Sequence, residues 1–263
     1  GEDEAPTMCG IAGGLGNTEG TTDSLAQMIR LLRHRGPDAH DSWADHGQRV
    51  GLAHSRLSII DLVSGAQPMR LESGNVITYN GELYNYVELR DEIGKHLFRT
   101  ASDTEVILRA YEKWGQRCVE RLRGMFAFAI WDAAKGYLFI ARDRFGIKPF
   151  YYAVSNGRFI FASEIKALLP FLPQIRTDIA GLHDYFTFQF CLGEKTMFAG
   201  VQQLKPAHCG TIGLDMSVDL RKYWEVHYNL DWDHDEEYFV NQVNSRLADS
   251  VRVHMRSDVE VGA

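Results

Sequence analysis

The chain has 263 residues, 45% hydrophobic and 24% charged, which suits a globular protein of one large domain or two small ones. Its formal net charge of -7 offers no basic footprint for nucleic acid, and no apolar run is long enough to span a bilayer. Cys9, Cys118, Cys191 and Cys209 form no Cys-x-x-Cys pair and the ten histidines show no zinc spacing. No metal site is therefore expected, and a reducing cytoplasm fits best.

Residues 1–7 are polar and contain Pro6; with Met8 they read as a leader or tag remnant outside the fold. Residues 9–15 read as a strand. Residues 24–32 read as a helix, with Leu25, Met28, Ile29 and Leu32 at helical spacing. Strands are expected at 50–60 and 76–79, and helices at 86–96 and 103–114, the second capped by Ser102 or Asp103. Two hairpins follow, 125–132 with 137–142 and 150–154 with 159–162; the second turns on Asn156-Gly157. The nearly continuous apolar run Met125-Phe126-Ala127-Phe128-Ala129-Ile130-Trp131 demands burial on both faces. The fold class is α+β: two stacked, mainly antiparallel sheets with helices outside, a four-layer αββα sandwich. Beyond Trp224 the pattern changes to a charged stretch, then a helix at 238–255, then a segment from Ser257 that begins as a strand. A helix and half a strand cannot form a core, so 225–263 reads as a linker and the truncated start of a second domain.

Several short segments could carry chemistry. Met8-Cys9-Gly10-Ile11-Ala12-Gly13 sets a cysteine directly behind a methionine. If the chain is cut after Met8, Cys9 holds a thiol and a free α-amine on one carbon. These groups titrate near 8.5 and near 8 respectively, roughly, so one can act as base for the other. A buried small hydrophobe is the other reading of such a cysteine. Arg33-His34-Arg35-Gly36-Pro37-Asp38 is a tight charged turn. Arg56 stands in an apolar strand and needs either a structural acidic partner or a ligand. Asn80-Gly81, at the end of a strand, is either a plain turn or an oxyanion hole built from a side-chain and a backbone N–H. Ser102-Asp103-Thr104-Glu105 opens a helix as a cap.

Taken together and in this order, these segments resemble the glutamine amidotransferases with an N-terminal cysteine nucleophile. The resemblance is specifically to the glutaminase domain of glutamine-hydrolysing asparagine synthetases. Arg142-Asp143-Arg144-Phe145-Gly146-Ile147-Lys148-Pro149 and Phe161-Ala162-Ser163-Glu164-Ile165-Lys166-Ala167-Leu168 match as well. One departure is Ser55, where relatives often have a second arginine before Arg56. The resemblance implies an N-terminal nucleophile hydrolase fold, with residues 9–224 as the glutaminase domain. It implies that Cys9 attacks the side-chain amide of L-glutamine, that Asn80 and Gly81 stabilise the oxyanion, and that the freed Cys9 amine moves the proton. Arg56 with the strand Leu57, Ser58, Ile59 and Ile60 would hold the α-carboxylate, and Glu82 and Asp103 the α-ammonium. ATP and Mg belong to the absent synthetase domain, not to this stretch of chain. That domain is the remaining implied partner, and the apolar surface left to face it makes weak self-association of the chain, as a homodimer, a further expectation.

Overall fold

A computed structural model describes residues 8–16, 21–47, 49–57, 61 and 65–259. All named strand pairs are antiparallel. The first sheet contains β1 (Gly10–Gly16), β2 (Ala39–Ala44), β3 (Val50–Arg56), β8 (Tyr151–Ser155), β9 (Arg158–Ala162) and β10 (Gln202–Gln203), in the order β10-β8-β9-β1-β3-β2. The second contains β4 (Met69–Arg70), β5 (Val76–Leu83), β6 (Gly124–Asp132), β7 (Tyr137–Arg142), β11 (His208–Gly213) and β12 (Val218–Lys222), in the order β12-β11-β7-β6-β5-β4. The helices are α1 (Thr21–Leu32), α2 (Tyr86–Ile93), α3 (Asp103–Trp114), α4 (Ile179–Phe188) and α5 (Glu236–His254).

Strand alternation sorts the apolar residues into three cores. Ile11, Leu15, Val50 and Leu52 of the first sheet meet Ala127, Ala129, Leu138 and Ile140 of the second, with Phe150, Phe159 and Phe161 between them. The opposite face of the first sheet presents Ala12, Ala53, Ile160 and Ala162 to Leu25, Met28 and Leu32 of α1. The outer face of the second presents Ile77, Phe128, Ile130 and Phe139 to Val106, Ile107 and Leu108 of α3. Each fully buried Leu, Ile or Phe contributes about 1.5–3 kcal/mol. The layering is therefore αββα, as the two-faced apolar strands require.

β1 lies in the middle of its sheet, between β3 and β9, so Cys9 sits where that central strand begins. Gly13 is needed there, because an added Cβ would lie 2.7 Å from the Phe161 ring and 2.5 Å from the Gly51 carbonyl.

Several expected boundaries move. The strand expected at 50–60 ends at Arg56, and Ser58, Ile59 and Ile60 lie outside the described residues. The strand expected to stop at Tyr79 continues to Leu83, so Asn80 and Gly81 are not a turn. They pair with Ala127 and Phe126 of β6, and that ladder outweighs the turn preference of Asn-Gly. The helix expected to reach residue 96 stops at Ile93, where Gly94 takes φ 118°. A short 3-10 turn, Lys95–Leu97, follows it. Ser257 is irregular and residues 258–259 form a bend rather than a strand, and 260–263 are not described.

Candidate active site

Cys9 is a free, partly buried thiol. Its Sγ donates to the Leu57 carbonyl at 3.4 Å and accepts from the Leu57 N–H at 3.3 Å. Burial holds the thiol above its ordinary titration range; the Leu57 hydrogen bond and the nearby Lys148 and Arg56 charges pull it back down. Arg35, from the charged turn, donates through Nε to the Cys9 carbonyl at 3.0 Å and through Nη1 to Glu164 at 2.9 Å. The residue chosen as nucleophile is thus fixed on both sides of its Cα.

Cys9, Arg56, Leu57, Gly81, Glu82 and Asp103 line one cavity of about 390 Å³ including its open mouth, together with Gln67 and Tyr79. Of the expected residues, Asn80 stands beside this cavity rather than on its wall. Its side-chain Nδ2 is buried with no hydrogen-bond partner among the described residues. A buried amide N–H without a partner costs about 1–3 kcal/mol, so it is a donor waiting for an acceptor.

The geometry of β5 explains the neighbouring donor. Even-numbered residues there bond to β6, as the Tyr84 N–H does to Arg123 just beyond the strand. Odd-numbered residues face the other edge, which β4 covers only opposite Val76 and Ile77. The Tyr79 N–H finds the Gln67 Oε1 at 2.7 Å, and the Leu83 N–H finds the Asp103 Oδ2 at 3.0 Å. By alternation the Gly81 N–H points to the same open edge between them, toward the cavity. No side chain fits at 81, since an added Cβ would lie 2.1 Å from the Met125 carbonyl of the paired strand β6.

Asp103 is buried at the first turn of α3 and also accepts from the Tyr79 hydroxyl at 2.9 Å. Burial raises its carboxyl to about 6, against the hydrogen bonds that lower it. Burial likewise pushes Glu82 upward. Arg56 donates through Nη2 to the Asp61 carbonyl at 2.5 Å. His54 is buried, donates to the Tyr79 carbonyl at 3.0 Å and is driven down to about 3 by burial, so it stays neutral and structural. The sequence reading gave no role to Gln67, Tyr79 or Lys148. Lys148 is 5% exposed and was visible only as part of a matched segment. Among the described residues no cluster of three His, Cys, Asp or Glu could hold a metal ion. No described helix is long and apolar enough to cross a membrane.

An αββα sandwich with a cysteine at the head of a central strand is the architecture of the N-terminal nucleophile hydrolases. Within that class the chain belongs to the glutamine amidotransferase family, whose domain matches residues 8–224. The chain is 39% identical to Bacillus subtilis asparagine synthetase [glutamine-hydrolyzing] 1, over 97% of this chain and 41% of that protein. It is 36% identical to a putative asparagine synthetase [glutamine-hydrolyzing] of Mycobacterium tuberculosis, over 97% and 43%. An amidase of Gibberella zeae is 34% identical over 94% and 37%. The chain thus spans about two fifths of the curated relatives it matches. The fold resembles that of the B. subtilis glutamine phosphoribosylpyrophosphate amidotransferase complexed with ADP and GMP, with a TM-score of 0.60 at 17% identity. That likeness covers 82% of this chain and 49% of the other.

Proposed function

We propose that this domain hydrolyses L-glutamine to glutamate and ammonia through Cys9. The observation that carries the reading is the convergence of Cys9, Arg56, Gly81, Glu82 and Asp103 on one cavity. Arg56, with the backbone from Leu57 through Ser58, Ile59 and Ile60, receives the α-carboxylate, for which a guanidinium fork is suited. Asp103 and Glu82 receive the α-ammonium, whose positive charge favours their ionised forms. Cys9 attacks the side-chain amide carbon, and the Asn80 side chain and Gly81 N–H take the oxyanion. Loss of one such donor typically costs on the order of a hundredfold or more in rate. Ammonia leaves with a proton, and water releases glutamate from the thioester.

The proton carrier in this scheme is the Cys9 α-amine. While Met8 is attached that nitrogen is an amide and no base, so cleavage after Met8 precedes activity. The ammonia goes to an ATP- and Mg-dependent synthetase domain that begins within 225–263 and converts aspartate to asparagine in the cytoplasm. The amidase among the relatives favours one variation, in which the same glutaminase half serves another acceptor. Asparagine formation from aspartate, glutamine and ATP–Mg by the full-length protein separates the two.

The test is peptide mass mapping after treatment with a glutamine-mimicking diazo-ketone. The expected result is an adduct on Cys9 in a peptide that begins at Cys9. A peptide that begins at Cys9 and stays unlabelled would overturn the reading and leave a glutamine-binding domain without hydrolysis.

A further inference from the structure

One buried cation has no task in the scheme above. The Lys148 ammonium lies within the protein, and it donates to the Met8 Sδ at 3.2 Å. A thioether is a weak acceptor, so this is a poor return for burying a charge. The position is nevertheless firmly built. Asp143 accepts from the Phe145, Ile147 and Lys148 N–H groups at 3.1, 3.0 and 3.0 Å. Arg142 donates to the Lys148, Gly146 and Leu204 carbonyls at 2.7, 2.7 and 2.6 Å. The whole turn after β7 is cross-bonded so that the Lys148 ammonium reaches the side chain of Met8, the residue before Cys9.

Met8 is the residue that must leave for Cys9 to gain an amine. Its departure takes away the acceptor of the Lys148 ammonium and leaves a new chain end at Cys9. We propose that Lys148 is a positioning charge that keeps the freed α-amine of Cys9 in its neutral, proton-accepting form. A second cation close by disfavours an ammonium and favours the free base. The other charged or titratable groups around Cys9 and Lys148 are Arg35 at the Cys9 carbonyl, Arg56, Glu82, Asp103 and Asp143, with the Tyr79 phenol held neutral by burial. Arg35 acts in the same sense as Lys148. Glu82 and Asp103 act in the opposite sense, but glutamine's own ammonium engages them in the proposed complex. Burial lowers the Lys148 titration, and Glu82 and Cys9 draw it part of the way back up.

The inference rests on the reading that Cys9 works as an N-terminal nucleophile, and the experiment separates the two. Processed wild-type protein, Lys148→Met and Lys148→Arg are compared for the pH dependence of glutaminase kcat/KM and of Cys9 labelling by the diazo-ketone. Thermal melting is followed for each. In Lys148→Met the acid limb should move up by about one pH unit, which is roughly tenfold less activity at a pH below both limbs. Lys148→Arg should restore the wild-type limb. If Lys148→Met does not fold, Lys148→Gln and direct titration of the amine by competitive acylation read the same shift. Cys9 labelling with an unmoved acid limb would overturn the role of Lys148 alone. Unlabelled, free Cys9 in wild type would overturn the nucleophile and this inference with it.

Discussion

Helices α3 and α5 look alike as sequences and fare differently in the fold. Both open on a capped acidic turn and carry apolar residues at helical spacing. The cap is Ser102, accepting from the Thr104 N–H, for α3, and Asp235, accepting from the Tyr238 N–H, for α5. Yet α3 buries eight of its twelve residues, whereas α5 buries only Val253 of nineteen. The difference shows what amphipathic spacing means. It states a demand for cover and does not say where the cover is. The second sheet covers α3. On α5, Val243 and Leu247 each stay 61% exposed. The helix is held at its far end by polar contacts, with Arg256 bonded to Glu88 and Asp249 to Arg123. An uncovered apolar stripe is a docking surface, and in the proposed reading the synthetase domain is what lies on it.

The sharpest way to break this comparison is to truncate one apolar residue in each helix. Leu108→Ala in α3 removes a side chain with no exposure, at a cost of about 2–5 kcal/mol in urea unfolding. Equal losses in α3 and α5 would sink the contrast. The next effect lies at the head of α3. Folded Asp103 titrates at about 6 against an ordinary 3.8, so the folded protein holds that proton more tightly than the unfolded chain. Its contribution is therefore fully present below about pH 4 and is lost as pH rises through about 6. Asp103→Asn keeps an acceptor for Tyr79 and Leu83 while removing the buried charge. The ligand-free domain should gain about 1–3 kcal/mol at pH 8, the gain shrinking toward pH 4. The same change should raise KM for glutamine at least about tenfold if the site reading holds, since a charge-assisted contact is lost. A gain over wild type no larger at pH 8 than at pH 4 would show that Asp103 is not strained by burial. Smallest is Leu247→Ala in α5, expected within about 0.5 kcal/mol of wild type because its side chain is largely in water.

What could be read from the sequence follows the same division. The spans of α3 and β7 were predictable to the residue, since periodicity, cap and turn all agreed. β2 was missed because His40, Asp41 and Ser42 are exposed on an edge strand and leave no apolar alternation. β11 and β12 were passed over too, β12 being a polar outer strand. Asn80-Gly81 was misplaced because local turn chemistry competes with a ladder whose partner lies more than forty residues away. For the site, motif order located most of the cavity wall. Lys148 could not be recognised this way: a lysine in a Gly-Ile-Lys-Pro turn reads as solvated until the Arg142 and Asp143 bonds fold it inward. Gln67 was invisible for a related reason, because a side chain standing in for a missing strand has no sequence signature.

That substitution has a consequence for the backbone's exchange with solvent. Along the open edge of β5, the amides of Tyr79 and Leu83 are tied to side chains, and the amide of Gly81 between them has no partner among the described residues. Its proton should trade with deuterium on a much shorter clock than its two neighbours, and should slow when an acyl group occupies Cys9. In the proposed reading, that amide is a single-residue spectroscopic gauge of whether the oxyanion seat is filled.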